Sequence, residues 1–122
     1  MAYIEMTEAN FNEIVENNDI TLIDFWAEWC GPCKSFAPVF EKVAEEYTDI
    51  AFAKVNTEIE QGLAGHFQIR SIPTLMVIKE GVVVFNQAGA LPEQNLKSLI
   101  EKAKELDMDK VREEIAQNSN QE

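Results

Sequence analysis

Cysteine and histidine are scarce in this 122-residue sequence, which holds two cysteines, Cys30 and Cys33, and one histidine, His66. Structural zinc needs about four ligands, so the supply of soft ligands argues against a zinc site. A disulfide that closes so short a loop removes little chain entropy, which argues against a purely structural bridge. We therefore expect no metal site and read the cysteine pair as chemically active.

Basic residues are also few. Lysine and arginine number 10 against 22 aspartates and glutamates, which gives a formal net charge of −12. Such a surface repels nucleic acid phosphates and anionic lipid headgroups, so we expect neither as a partner. The acidity either keeps a small protein dissolved or steers it toward partners with basic patches, and the composition leaves both open.

Long hydrophobic runs are missing, and none approaches the length of a membrane-spanning helix. Residues 1–6 carry no basic region, apolar core or cleavage site of the secretory type. We expect a cytoplasmic protein. The length and the 46% hydrophobic content suit one compact domain.

The apolar pattern alternates between strand and helix at short spacing, which predicts an α/β fold. An extra amphipathic segment follows at the C-terminus, where Asp107 or Asp109 can cap a helix with Met108, Val111 and Ile115 on one face. The predicted strands are residues 3–5, 21–27, 50–55, 74–78 and 82–85. The predicted helices are residues 7–16 with Thr7 as cap, the segment after the cysteines to about 47, 61–67, and one that opens with Pro92 in its first turn and turns Leu96, Leu99, Ile100 and Ala103 inward.

The two cysteines lie two residues apart, between a predicted strand and a predicted helix. At a helix N-terminus the free N–H groups and the dipole stabilise an anion, so the pKa of Cys30 should lie below the usual value of about 8.5. Cys33, one turn further in, should be more buried and remain a thiol. Attack by Cys30 on a disulfide, followed by resolution through Cys33, is the reaction that this spacing allows.

Asp24 shares a strand face with Leu22 and Trp26, which places a carboxyl group among apolar neighbours. Burial without a partner raises the pKa of a carboxyl group, so that it exchanges protons near neutral pH. The alternative is a structural aspartate with satisfied hydrogen bonds. Lys54, on the next strand, is the natural source of a nearby charge.

Pro73 directly precedes the apolar run 74–78, where a missing backbone donor suits a strand start or a tight turn. The sequence alone leaves open whether the Ile72–Pro73 bond is cis. His66 precedes Phe67 with no partner motif. An exposed polar residue is a better interpretation of it than an acid–base group.

These residues together resemble the thioredoxin family. The resemblance runs from about Tyr3 to Leu106 and rests on the string from Asp24 to Lys34, which includes Trp-Cys-Gly-Pro-Cys-Lys, and then on Pro38, Lys54, the Ile72-Pro73-Thr74 segment and Gly89. It departs from the family at 56–58, where Asn-Thr-Glu replaces the usual aspartates, and at Ser35 and Phe36.

The resemblance implies a thioredoxin fold, a central mixed five-stranded sheet flanked by helices, with the short C-terminal helix as an addition. It implies a monomeric protein-disulfide reductase that acts in cell redox homeostasis on disulfide-containing client proteins. Electrons come from NADPH through thioredoxin reductase, and no cofactor is bound. The implied catalytic residues are Cys30, Cys33, Asp24 and Lys54, with Pro73 in cis. The implied substrate-binding residues are Trp29, Gly31, Pro32, Ile72, Pro73 and Gly89.

The predicted domain ends at residue 106, and residues 107–122 form an extension with a short helix and a disordered end from Asn118. This helix either packs on its own domain or docks a partner. Two rival functions remain: a protein devoted to one client or acting as an oxidant, and a binding module in which turnover is incidental.

Overall fold

The computed structural model describes residues 2–120, which contain one five-stranded mixed sheet in the order β1-β3-β2-β4-β5. Strands β1, β3 and β2 run parallel to one another, whereas β4 lies antiparallel to β2 and β5 antiparallel to β4. The predicted fold class is confirmed. The strands are β1 (Ile4–Glu5), β2 (Ile20–Trp26), β3 (Ala51–Asn56), β4 (Thr74–Lys79) and β5 (Val82–Ala88). The helices are α1 (Phe11–Asn17), α2 (Gly31–Glu46), α3 (Gln61–His66), α4 (Glu93–Glu105) and α5 (Met108–Asn120).

Two apolar cores lie on opposite faces of the sheet, because the side chains of a strand alternate between faces. On β2, Leu22 packs into the core that includes Phe36 and Phe40 of α2. Ile23 and Phe25 pack into the other core, which α1 and α3 cover. Asp24 shares its face with Leu22, so its carboxyl group lies on the side of the sheet that α2 covers.

Two helix starts differ from the prediction. Helix α1 is assigned from Phe11, but Thr7 caps the turn that leads into it, as predicted: the Thr7 N–H donates to Asn10 Oδ1 at 2.7 Å, and the Asn10 N–H donates to Thr7 Oγ1 at 3.3 Å. These reciprocal bonds form a capping box, and the Phe11 N–H donates to the Thr7 carbonyl oxygen at 3.0 Å. Pro92 is the N-cap of α4 and not part of its first turn. Leu99 is only half-buried, unlike its three predicted partners.

Lys79 is a buried lysine that holds the C-terminal end of α4. Its side chain is 5% exposed, and Nζ donates to the carbonyl oxygens of Ala103 at 2.7 Å, Lys104 at 3.1 Å and Leu106 at 3.1 Å. The last carbonyl groups of a helix have no partner within it and carry the negative end of the dipole. Lys79 satisfies them with a positive charge and fixes the chain where α4 leads to α5.

Replacement of Lys79 by methionine should lower the free energy of unfolding by about 1–3 kcal/mol, because it keeps the apolar stem but removes the donor from three carbonyl groups. Urea unfolding monitored by circular dichroism measures the change. The control is Lys102→Met, at an exposed position of α4. It should change stability by less than about 0.5 kcal/mol. Equal stabilities of the two variants would contradict the role given to Lys79.

Helix α5 packs on the rest of the chain at its first turns. Asp107 Oδ1 accepts the N–H groups of Asp109 at 3.1 Å and Lys110 at 3.3 Å, so Asp107 is the cap. Met108 is buried, and Arg112 donates to Glu80 at 2.9 Å. Ile115, however, is 46% exposed, so the predicted apolar stripe is covered only at its start. Helix α5 extends to Asn120 and so includes the start of the end that was predicted to be disordered from Asn118; residues 121–122 lie outside the described residues.

Candidate active site

Cys30 and Cys33 are joined by a disulfide at the N-terminus of α2. Cys30 is the N-cap residue in an extended conformation, and its Sγ accepts the Cys33 N–H at 3.2 Å. Pro32 stands within the first turn, where a missing donor costs nothing. The free N–H groups of the helix therefore point at the Cys30 sulfur, which favours its thiolate when the disulfide is reduced.

Cys33 is more buried than Cys30, as predicted, but by a small margin. Cys30 is 4% exposed and Cys33 is 3% exposed, and Trp26 and Ile72 pack against the cluster that both cysteines form with Ala27. The two sulfurs differ instead in their position relative to the helix. Cys30 caps the helix, and its Sγ accepts the Cys33 N–H, whereas Cys33 lies inside the first turn.

Asp24 is fully buried on β2, and within residues 2–120 neither of its carboxyl oxygens has a hydrogen-bond partner. The predicted alternative, a satisfied structural aspartate, does not hold. The pKa of Asp24 is raised from 3.8 to about 7: burial, the largest cause, raises it, the Lys54 charge lowers it and the Glu41 charge raises it. A carboxyl group with this pKa takes up and releases a proton near neutral pH.

Lys54 lies directly across from Asp24 in the parallel pairing of β2 with β3. No ion pair within 4 Å joins the two in the described part of the chain; the carboxylate near Lys54 Nζ is that of Glu41, at 3.8 Å. Lys54 Nζ also lies 5.1 Å from the ring centroids of both Tyr3 and Trp26. Lys54 therefore acts on Asp24 through its field and not through a direct bond.

The Ile72–Pro73 peptide bond is cis, as the resemblance implies. The carbonyl oxygen of Ile72 lies 3.7 Å from Cys30 Sγ, and Pro73 is buried directly before β4. Gly89 has a φ of +107°, a conformation that favours glycine, and its N–H donates to the Pro73 carbonyl at 2.7 Å. Four of the predicted residues, Cys30, Ile72, Pro73 and Gly89, are thus linked in one short chain of contacts.

Trp29 is 69% exposed beside the disulfide, and its indole Nε1–H donates to Glu58 Oε1 at 2.6 Å. Gly31 and Pro32 are exposed next to it. In the sequence the turn at 56–58 stands out only as a departure from the family, but in the structure Glu58 holds the Trp29 indole in place. The sequence signal for this contact is weak: Glu58 is an acidic residue shortly after the strand β3.

The remaining candidate, His66, is exposed at the end of α3 and stacks edge-on against Phe67, with ring centroids 4.8 Å apart. It lies apart from the cysteines, on the helix that covers the opposite core. Across residues 2–120 no three His, Cys, Asp or Glu side chains are grouped as a metal site. No helix in this range is long and apolar enough to cross a membrane.

A thiolate-stabilising helix cap, a second cysteine within reach and a buried carboxyl group with a pKa near 7 make this a site for dithiol–disulfide exchange. Comparison with known proteins agrees with this chemistry. The thioredoxin family model matches residues 2–102, so the chain belongs to the thioredoxin family. Thioredoxins are dithiol–disulfide oxidoreductases, and this chain is one of them. They generally interact with thioredoxin reductase and with disulfide substrates.

Among its relatives is a Streptomyces coelicolor protein named as a thioredoxin, 53% identical over 118 residues, which are 97% of this chain and 88% of the relative. That match includes most of α5. A thioredoxin from Haemophilus influenzae is 44% identical over 99 residues, 80% of this chain and 92% of the relative. A solved structure, a mutant thioredoxin from Halobacterium salinarum, is 38% identical and superposes with a TM-score of 0.77 over 86% of this chain and 91% of that chain.

Proposed function

We propose that this chain is a protein-disulfide reductase in which Cys30 is the nucleophile and Cys33 the resolving thiol. The observation that carries the proposal is the hydrogen bond from the Cys33 N–H to Cys30 Sγ at the N-cap of α2, since it favours negative charge on one sulfur of the pair. The Cys30 thiolate attacks one sulfur of a client disulfide. A mixed disulfide forms, and the first client sulfur leaves as a thiolate.

Resolution needs the proton of the Cys33 thiol to be removed. Asp24 is the proposed acceptor, because its buried carboxyl group has a pKa of about 7 and no hydrogen-bond partner in the described structure. The Cys33 thiolate then attacks the Cys30 sulfur. The Cys30–Cys33 disulfide forms, and the second client sulfur leaves as a thiolate, so two electrons pass to the client.

The client is held by the residues around Cys30. The Ile72 carbonyl oxygen lies 3.7 Å from Cys30 Sγ, so a client chain can pair with the Ile72 backbone beside the sulfur by strand addition. Trp29 supplies an exposed apolar wall, Gly31 and Pro32 leave the approach to Cys30 open, and Gly89 fixes the turn behind Pro73.

In this proposal the oxidised pair is reduced again by thioredoxin reductase with electrons from NADPH, in the cytoplasm, and the monomeric protein contributes to cell redox homeostasis. No cofactor is bound. The domain proper ends at Leu106, and α5 is an extension of it. The contact of Arg112 with Glu80 supports packing of α5 on its own domain over the docking of a partner.

The proposal predicts NADPH consumption when the chain is mixed with a thioredoxin reductase and insulin, at a rate that depends on all three. Equilibration with glutathione buffers gives its reduction potential, which for a reductant of the thioredoxin type should lie near about −270 mV. A potential near about −120 mV would identify an oxidant instead. A variant with both cysteines replaced by serine that kept full function in a cell would favour the binding module.

A further inference from the structure

The surroundings of the Lys54 ammonium group differ from those of an ordinary surface lysine. Its side chain is only 10% exposed, yet Nζ donates no hydrogen bond to any group in residues 2–120. It lies 5.1 Å from the ring of Tyr3 and 5.1 Å from the ring of Trp26, and 3.8 Å from the Glu41 carboxylate. Two aromatic faces and one carboxylate therefore decide where this charge stays.

The position of this charge matters because Lys54 has no direct bond to Asp24. A lysine has a long, flexible stem, and the attraction between two charges falls with their separation. Glu41 lies on α2, is 44% exposed and attracts the ammonium group toward solvent. Something must oppose that attraction if the charge is to stay above the sheet beside Asp24.

Tyr3 is placed to do this. It directly precedes β1, whose Glu5 pairs with Lys54 of β3, so its side chain lies on the same face of the sheet as the Lys54 side chain. Together with Trp26 and Lys54 it lines a surface cavity of about 410 Å³. A cation over the face of an aromatic ring is attracted by the electron density of the ring without losing its charge.

We propose that Tyr3 is a positioning residue of the active site, whose ring, together with that of Trp26, holds the Lys54 ammonium group next to Asp24 during proton transfer. Trp26 also packs against the disulfide, so Tyr3 is the part of this aromatic pair that can be altered alone. The inference deepens the proposed function and rests on its use of Asp24 as proton acceptor. Asp24 on β2 and Lys54 on β3 are surrounded by five further charged or titratable groups. These are Tyr3 and Glu5 at β1, Glu41 on α2, and Glu28 and Glu60, which line the cavity.

The direction of the expected effect follows from the charges. The Lys54 charge lowers the pKa of Asp24 and the Glu41 charge raises it. Tyr3→Leu frees the ammonium group to move toward Glu41 and water, so the pKa of Asp24 should rise further. Tyr3→Phe keeps the ring and should leave it unchanged.

The test is a carbon-13 NMR titration of the Asp24 carboxyl group in the oxidised chain, with pH profiles of insulin reduction measured in parallel. For Tyr3→Leu we expect the Asp24 midpoint to rise by about 0.5–1 pH unit, and the reduction rate below that midpoint to fall about three- to tenfold. Tyr3→Phe should match the unmodified chain in both. In a Lys54→Met background, Tyr3→Leu should cause no further shift, which a merely structural role of Tyr3 does not predict.

An unchanged midpoint in a folded Tyr3→Leu variant overturns the proposal, as does an equal shift in the Lys54→Met background. Tyr3→Met serves in place of Tyr3→Leu if the latter does not fold. A shifted midpoint with an unshifted rate profile supports the positioning by Tyr3 and refutes the role of Asp24 in the proposed function, so the two fail separately.

Discussion

A Cys33→Ser variant should stop after the first half of the reaction, as a mixed disulfide through Cys30. With an aromatic disulfide reagent that releases a coloured thiolate, the reduced chain should release two equivalents. The Cys33→Ser variant should release one and keep the other covalently bound, which intact mass spectrometry detects. Serine cannot attack the Cys30 sulfur, because disulfide exchange requires a thiolate.

Cys30→Ser is the matched control and the larger loss. Its remaining thiol lies inside the first turn of α2 and is 3% exposed, without the N-cap position that favours the thiolate of Cys30. NADPH-coupled insulin reduction should fall by at least about 10³-fold. If Cys30→Ser kept full activity, or formed the covalent complex as fast as Cys33→Ser, the assigned roles of the two cysteines would be wrong.

Asp24→Asn should remove most of the pH dependence of stability between about pH 4 and pH 8. The folded chain holds the Asp24 proton up to about pH 7, whereas the unfolded chain loses it near pH 3.8. Between these values the folded state binds more protons, so its stability falls as pH rises. The rise of the pKa from 3.8 to about 7 corresponds to about 4 kcal/mol at about 1.4 kcal/mol per pH unit, all of it lost above pH 7.

The asparagine variant avoids this loss but buries an amide without a partner, which costs about 1–3 kcal/mol. At about pH 8 the free energy of unfolding of Asp24→Asn should therefore exceed that of the unmodified chain by about 2 kcal/mol. At about pH 5 the two should differ little. Urea unfolding of the oxidised chains at both pH values measures this. Glu45→Gln, at an exposed position of α2, controls for the loss of one negative charge. A stability difference between the asparagine variant and the unmodified chain that is the same at the two pH values would show that the Asp24 carboxyl group titrates normally.

Local patterns in the sequence were enough to predict the strands and the cysteine site, whereas the five-stranded mixed sheet was implied by the family resemblance. The alternation on β2 places Asp24 on the face that α2 covers, and the next strand brings Lys54 opposite to it. The Cys-Gly-Pro-Cys spacing predicts the N-cap position of Cys30. Each of these depends on contacts within one strand, one helix start or one strand pair.

The contacts that the sequence did not predict depend on tertiary packing. Tyr3 reaches Lys54 from beside a two-residue edge strand, and Glu58 meets Trp29 across two loops. The small difference in burial between Cys30 and Cys33 reflects Trp26 and Ile72, which pack against the cysteine cluster from outside its helix.

The enclosure of Lys79 also has a consequence for covalent labelling. Acylating reagents attack free amines, and an ammonium group that donates to three carbonyl oxygens in a buried site has neither a free electron pair nor access to the reagent. Lys34, Lys42 and Lys102 are exposed and should react at once. The rate at which label appears at Lys79 therefore measures how often the C-terminal end of α4 opens. Mass spectrometry of the folded protein gives this rate without any denaturant.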